Sequence, residues 1–152
     1  MARDAGGGAA EGRVPVVFQM PIVVTEEHSA AAGRHVHNVA YVEWVQSVAM
    51  AHWRTVATPE MHEAVVWYVR RHEIDYLKEC WAGDRLTATT YVGECHGAAM
   101  VRFVELTRAD GAAVCRARTT WVAISTRSGR PTRITEAMRA PLFEDNGGDA
   151  GP

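Results

Sequence analysis

Two histidines separated by one residue, His35 and His37, run directly into Asn38, making this the densest cluster of polar chemistry in the 152-residue chain. A His-x-His pair can hold a metal ion, but a metal site needs a convincing third ligand, and none lies nearby in sequence. Neither a metal centre nor a cofactor is expected. The next set is Lys78-Glu79-Cys80. A thiol becomes a nucleophile only when a neighbouring cation lowers its pKa. Lys78 is close in sequence but is not assigned that role, and Cys80 is read as a packing residue or a minor modulator. A third set, Arg127, Arg130 and Arg133, offers guanidinium forks that suit phosphate oxygens or an acidic protein surface. A solvated loop is the plainer reading of those arginines.

These groups must be held by regular elements. Tyr41, Val45, Val48 and His52 recur at helical spacing, with Trp44 and Ala51 beside them, which predicts a helix from about Asn38 to Thr55. Asn38 is a plausible cap, since its side chain can accept a bond from an unpaired N–H of the first turn. Thr58-Pro59 should end this helix, with a short turn over Glu60 to Ala64. The small residues from Ser29 to Arg34 read as a loop. Val14 to Val24 reads as a β-branched strand, and Val65 to Leu77 as a long one. Leu86, Ala88, Thr90 and Val92 alternate onto one face of a strand over Arg85 to Cys95. Ala99 to Thr107 and Ala112 to Ser125 flank an Ala-Asp-Gly turn and predict a hairpin. The expected fold class is α+β, one domain with an antiparallel sheet of five to six strands around one long central helix. The start of such a helix presents free N–H groups and a positive dipole end, which can stabilise a developing oxyanion.

The bulk properties narrow the function classes. A formal charge of −2 with mixed signs, and Lys78 as the only lysine, gives no broad basic footprint, so general nucleic-acid binding is disfavoured. No apolar run approaches the length of a membrane span. Cys80, Cys95 and Cys115 form no CxxC pair, and three free thiols suit a reducing compartment. The Gly- and Ala-rich first residues lack the apolar run of a signal peptide, so a cytoplasmic location is expected. Residues 1–13 and 144–152 read as disordered tails around a folded span of 14–143.

The run His35-Val36-His37-Asn38-Val39-Ala40-Tyr41-Val42-Glu43-Trp44 resembles the HVNNxxYxxW signature of 4-hydroxybenzoyl-CoA-type and acyl-ACP thioesterases, with His37 in place of the first asparagine. Ile74-Asp75-Tyr76-Leu77-Lys78-Glu79-Cys80 is similar to the strand of plant acyl-ACP thioesterases that ends in a Glu-Cys pair. Tyr76 followed by Gly83-Asp84, and Trp121 leading to Gly129-Arg130-Pro131, resemble bacterial relatives. The likeness runs from about Val16 to Pro141. The loop aspartate usual in these families falls on Ala31 here, and the plant asparagine two residues later on Gly33.

The resemblance implies the hot-dog fold and hydrolysis of an acyl thioester carried on coenzyme A or an acyl-carrier protein. It places the oxyanion-binding backbone N–H at Asn38 and makes Glu79 the general base or nucleophile. A solvated glutamate at a strand end is the alternative reading of Glu79. His35 matches the signature histidine, which could orient water, hydrogen-bond the carbonyl, or bond a backbone carbonyl in a structural role. Tyr41 and Trp44 are core residues that could also line an acyl channel, Arg130 could meet the carrier, and Glu43 is a fallback acid. A homodimer or homotetramer is implied, because such sites form between subunits. Two other readings stay open: an acyl-thioester sensor without catalysis, favoured by the missing aspartate, and a hydratase or dehydratase, disfavoured by the lack of an acid before His35.

Overall fold

The long helix forms where its apolar side chains recur every three or four residues. In the computed structural model, which describes residues 12–147, α1 spans Asn38–Val56. Its buried stripe is Ala40, Tyr41, Trp44, Val45, Val48, Ala49, His52 and Trp53. The helix stops where Ala57 turns extended and its N–H bonds the Trp53 carbonyl. Thr58 then caps a second helix, α2 (Pro59–Ala64), accepting a bond from the Met61 N–H. Pro59 therefore opens a new helix as well as closing the old one, as suits a residue with a fixed φ and no N–H to lose.

Strands β2 (Phe18–Val23), β3 (Val65–Tyr76), β4 (Arg85–His96), β5 (Ala99–Arg108) and β6 (Ala113–Ser125) form one antiparallel sheet in the order β2-β4-β5-β6-β3. The two outer strands, β2 and β3, are consecutive in sequence. The chain between them crosses the sheet as α1, which covers its inner face. Bulges between Val69 and Arg71, and between Val92 and Glu94, bend the sheet. Gly93 sits in the second bulge, where a Cβ would lie 2.5 Å from the Phe103 ring. A short ribbon pairs β1 (Arg13–Pro15) with β7 (Phe143–Asp145), after α3 (Glu136–Arg139). None of the described helices is long and apolar enough to cross a membrane.

Two boundaries differ from the sequence reading. The strand expected over Val14 to Val24 is divided in two. Arg13–Pro15 pairs with β7, the Val16 N–H adding a bond to the Leu142 carbonyl in the same register, and Phe18–Val23 pairs with β4. The ribbon also extends the ordered chain past the expected span of 14–143, to Arg13 at one end and Asp145 at the other. The remainder of both expected tails, residues 1–11 and 148–152, lies outside the described residues.

The core is divided. One apolar cluster lies under the first half of α1, around Tyr41, Trp44, Val48, Leu86 and Leu106. A second lies under its end, around Trp53, Met100, Trp121 and Leu142. Between them runs a polar belt on the inner face of the sheet. Arg102 on β5 stands in register with Thr119 on β6, which stands in register with His72 on β3. His72 Nδ1 lies 2.8 Å from Thr119 Oγ1, and its Nε2 lies 3.2 Å from Gln46 of the helix. Arg102 Nη1 lies 2.9 Å from His52 Nδ1 and donates to Thr90 Oγ1 at 3.3 Å.

Burial first, and the Arg102 charge second, push the His52 pKa down to about 4. The fold therefore holds this histidine neutral while the unfolded chain protonates near pH 6.5. Its contribution to stability is complete above that pH and is lost as pH falls toward 4. Between pH 7 and pH 4 the unfolding free energy should drop by about 2–4 kcal/mol from this group alone. Urea titrations of wild type and His52→Gln at both pH values check this. Equal pH dependence in the two proteins would exclude it.

Candidate active site

The start of α1 is capped by a histidine. His37 is extended (φ −75°, ψ 153°), and its ring Nδ1 accepts the Ala40 N–H at 3.2 Å. This corrects the expectation that Asn38 is the cap. Imidazole Nδ1 stands as many bonds from Cβ as the Oδ1 of asparagine, so it reaches the same third N–H. Asn38 becomes the first helical residue, with an exposed side chain. The N–H groups of Asn38 and Val39 take no partner among the described residues. Both residues are exposed, so the positive end of a 19-residue helix is open to solvent.

Two segments remote in sequence are tied to this turn by backbone bonds. The Val36 N–H donates to the Cys80 carbonyl at 2.9 Å, and the His37 N–H to the His28 carbonyl at 3.0 Å. Tyr41 adds a phenol bond to the Lys78 carbonyl at 3.3 Å. The loop carrying Glu79 is thereby clamped beside the helix start. Glu79 itself is exposed in the single chain, and its carboxylate has no hydrogen bond among the described residues.

The His28 carbonyl bond also brings the turn carrying Glu27 to the helix start, and the His28 ring packs edge-on to Trp44 with centroids 4.9 Å apart. The His35 ring stands edge-on to exposed Trp81 at 6.1 Å, with Nδ1 at 3.1 Å from the Val36 carbonyl. With His37 engaged as the cap, no group of three metal-ligating side chains forms among the described residues.

Tyr41 and Trp44 lie in the first core cluster, their rings 5.4 Å apart. Burial, with a hydrogen bond to Cys80, raises the Tyr41 pKa. Burial likewise raises Cys80, pushes Cys95 up to about 11, and pushes Cys115 up to about 12. A thiol held neutral in this way is a poor nucleophile, which agrees with reading Cys80 as packing. Glu43 is exposed on the helix.

Arg130 is not brought to this cluster within one chain. It follows the end of β6, whose Ser125 pairs with Val65 at the start of β3, whereas Tyr41 at the helix start packs on Tyr76 at the end of β3. Beside that far turn lies a cleft of about 540 Å³, lined by Arg127 and Arg133 with Glu60 and Glu63 opposite. Arg130 does not line it.

One long helix wrapped by an antiparallel sheet, with its first turn left open, is the hot-dog architecture. The chain belongs to the thioesterase-like superfamily, whose family model matches residues 28–142. The chain is similar to the hypothetical protein SAV2348 of Staphylococcus aureus, characterised in complex with CoA. That match has 19% identity and a TM-score of 0.75, covering 85% of this chain and 83% of the other. A variant of 4-hydroxybenzoyl-CoA thioesterase complexed with 4-hydroxybenzoyl-CoA matches at 15% identity and a TM-score of 0.74, over 83% and 98% of the two chains. The 12:0-ACP thioesterase of Umbellularia californica matches at 22% identity and a TM-score of 0.70, over 86% of this chain and 51% of that one. Among curated proteins, no sequence matches the chain.

Proposed function

We propose that this protein hydrolyses acyl thioesters of coenzyme A or an acyl-carrier protein, and that it works as a homodimer or a homotetramer built from such dimers. The observation that carries this reading is the exposed first turn of α1, with unpartnered N–H groups at Asn38 and Val39 and the Glu79 loop bonded to its side. The thioester carbonyl oxygen takes up the Asn38 N–H, where a preorganised donor meets the charge that develops on it. Glu79 removes a proton from water, whose oxygen bonds to the carbonyl carbon. The tetrahedral adduct then collapses, the C–S bond breaks, and the proton passes to the departing thiolate. In the alternative, the Glu79 carboxylate attacks directly, and the C–S bond breaks to expel the thiolate and leave a mixed anhydride. Water then cleaves it to the free acid and the regenerated carboxylate, the proton released passing to the thiolate. His35 stands beside this turn and can orient the water.

A second copy supplies what one chain lacks. Strand β3 is the outermost strand, twelve residues long, and its outer edge has no partner among the described residues. Pairing two β3 edges about a two-fold axis runs the strands antiparallel. Because α1 packs on β3 with Tyr41 near Tyr76 and Trp53 near Trp67, each helix start then lies beside the other helix's end. That arrangement would screen Glu79 from bulk solvent while leaving room for the attacking water, and would bring the partner's Arg130 turn toward the carrier's phosphates. Three cysteines free of disulfides among the described residues suit a reducing cytoplasm.

The test is release of free thiol from a panel of acyl-CoA and acyl-carrier-protein thioesters, with light scattering on the same sample. Turnover by a species of twice the chain mass, or a multiple of it, is expected. Binding without thiol release would replace the hydrolase by a sensor, and hydration of an enoyl-CoA would replace it by a hydratase. A monomer at micromolar concentration contradicts the shared site.

A further inference from the structure

Arg102 is the charge in this fold that has no evident purpose. It lies on the central strand β5, with 2% of its surface exposed. No carboxylate pairs with it among the described residues. A buried guanidinium without a counter-charge is costly, and such a group normally has an anion or a dense set of acceptors. Here the acceptors are few. Both hydrogen bonds use Nη1, one to the His52 ring and one to Thr90, whose hydroxyl already donates to the Phe103 carbonyl at 2.8 Å. No bond among the described residues uses Nε or Nη2, although a guanidinium carries five N–H donors.

The side chain borders a small cavity of about 10 Å³, walled by Met50, Trp53, Trp67, Met100 and Trp121. The indole N–H groups of Trp67 and Trp121 are buried without a partner. The cavity wall is otherwise almost wholly apolar, so it suits a hydrocarbon chain whose end can meet the guanidinium. The volume holds about one water or the tip of a larger group. Two of the walls are methionines, whose unbranched side chains readily re-pack around an incoming chain. The half-buried Met50 and Trp67 form the outer wall, on the β3 side.

We propose that this cavity is the subsite for the far end of the acyl group, and that Arg102 selects thioesters whose acyl chain ends in a carboxylate. The inference rests on the hydrolase reading above and deepens it. With β3 edges paired, a thioester held at the partner's first helical turn points its chain toward the Met50–Trp67 mouth. The methylenes lie against the indoles, and the terminal carboxylate meets the unused side of the guanidinium and neutralises it. Burial lowers the Arg102 pKa to about 10, which leaves the group charged at neutral pH and available for that pairing.

The test compares α,ω-dicarboxylyl-CoA thioesters with simple acyl-CoAs of equal chain length, by kcat/KM from thiol release. Wild type should prefer the dicarboxylyl series by about tenfold or more at its best length, the effect of one charge-assisted pair. Arg102→Met, close in volume and uncharged, should lower that ratio about 30- to 100-fold. Arg102→Lys, which keeps the charge but loses the fork, should fall between. Preference of wild type for the simple series overturns the proposal without any variant, as does a ratio unmoved by Arg102→Met. Tryptophan fluorescence gives a readout apart from turnover, since three indoles line the cavity. A change on adding a dicarboxylyl-CoA that a simple acyl-CoA does not cause, and that Arg102→Met abolishes, supports the subsite even if no thioester is cleaved. Complete absence of thiol release with that fluorescence change intact would sink the hydrolase reading alone.

Discussion

Replacing Asn38 by proline should cut kcat about 100- to 1,000-fold while leaving the melting temperature nearly where it was. Proline lacks the N–H that is proposed to hold the carbonyl oxygen, and Asn38 is the first residue of α1, the helical position that tolerates proline best. The residue before it, His37, already has the extended backbone that a following proline requires. The variant therefore removes one donor from the open turn and keeps the helix. Asn38→Ala is the companion, since it deletes the side chain and keeps the N–H; its kcat should fall far less. Steady-state kinetics with thermal melts on both variants decide the matter. A proline variant that retains a third or more of wild-type kcat would show that the oxyanion is held elsewhere.

Replacing Glu79 by glutamine should lower kcat about 100- to 10,000-fold with the fold intact. Glutamine has nearly the same shape but cannot take a proton from water or attack the carbonyl. Glu79 is exposed and makes no hydrogen bond among the described residues, so its loss should leave stability within about 0.5 kcal/mol. Glu27→Gln is the control, because the turn that carries it is bonded to the helix start through the His28 carbonyl. Full activity in Glu79→Gln beside inactivity in Glu27→Gln would transfer the role of base to Glu27.

Much of the framework was legible because its signals are local. Helical spacing placed α1 to within a residue or so of its observed ends, and alternation placed Leu86, Ala88, Thr90 and Val92 on the buried face of β4. Tyr41 and Trp44 fell in the core for the same reason. The cap was misassigned because asparagine is the commoner cap, and only backbone geometry shows that the chain turns helical one residue earlier. Whether Glu79 is solvated or enclosed stayed open, because the sequence does not say what packs beside the loop that follows β3. The same alternation that buries Met100 and Leu106 on β5 also points Arg102 inward, a signal that was present and unread.

The sequence by itself determined the elements and the apolar stripe of the helix, since periodicity is a property of neighbouring residues, and its resemblance to known thioesterases implied the hot-dog class. The tertiary structure alone decided that the Glu79 loop and the His28 turn both hang from the helix start by backbone bonds. It alone placed Arg130 at the opposite end of the sheet within one chain, and left Arg102 without an acid to face. Those facts depend on which strands pair and where a helix crosses them. Pairing joins residues far apart in the chain by donors and acceptors that every residue carries alike, and side-chain identity says little about which will meet.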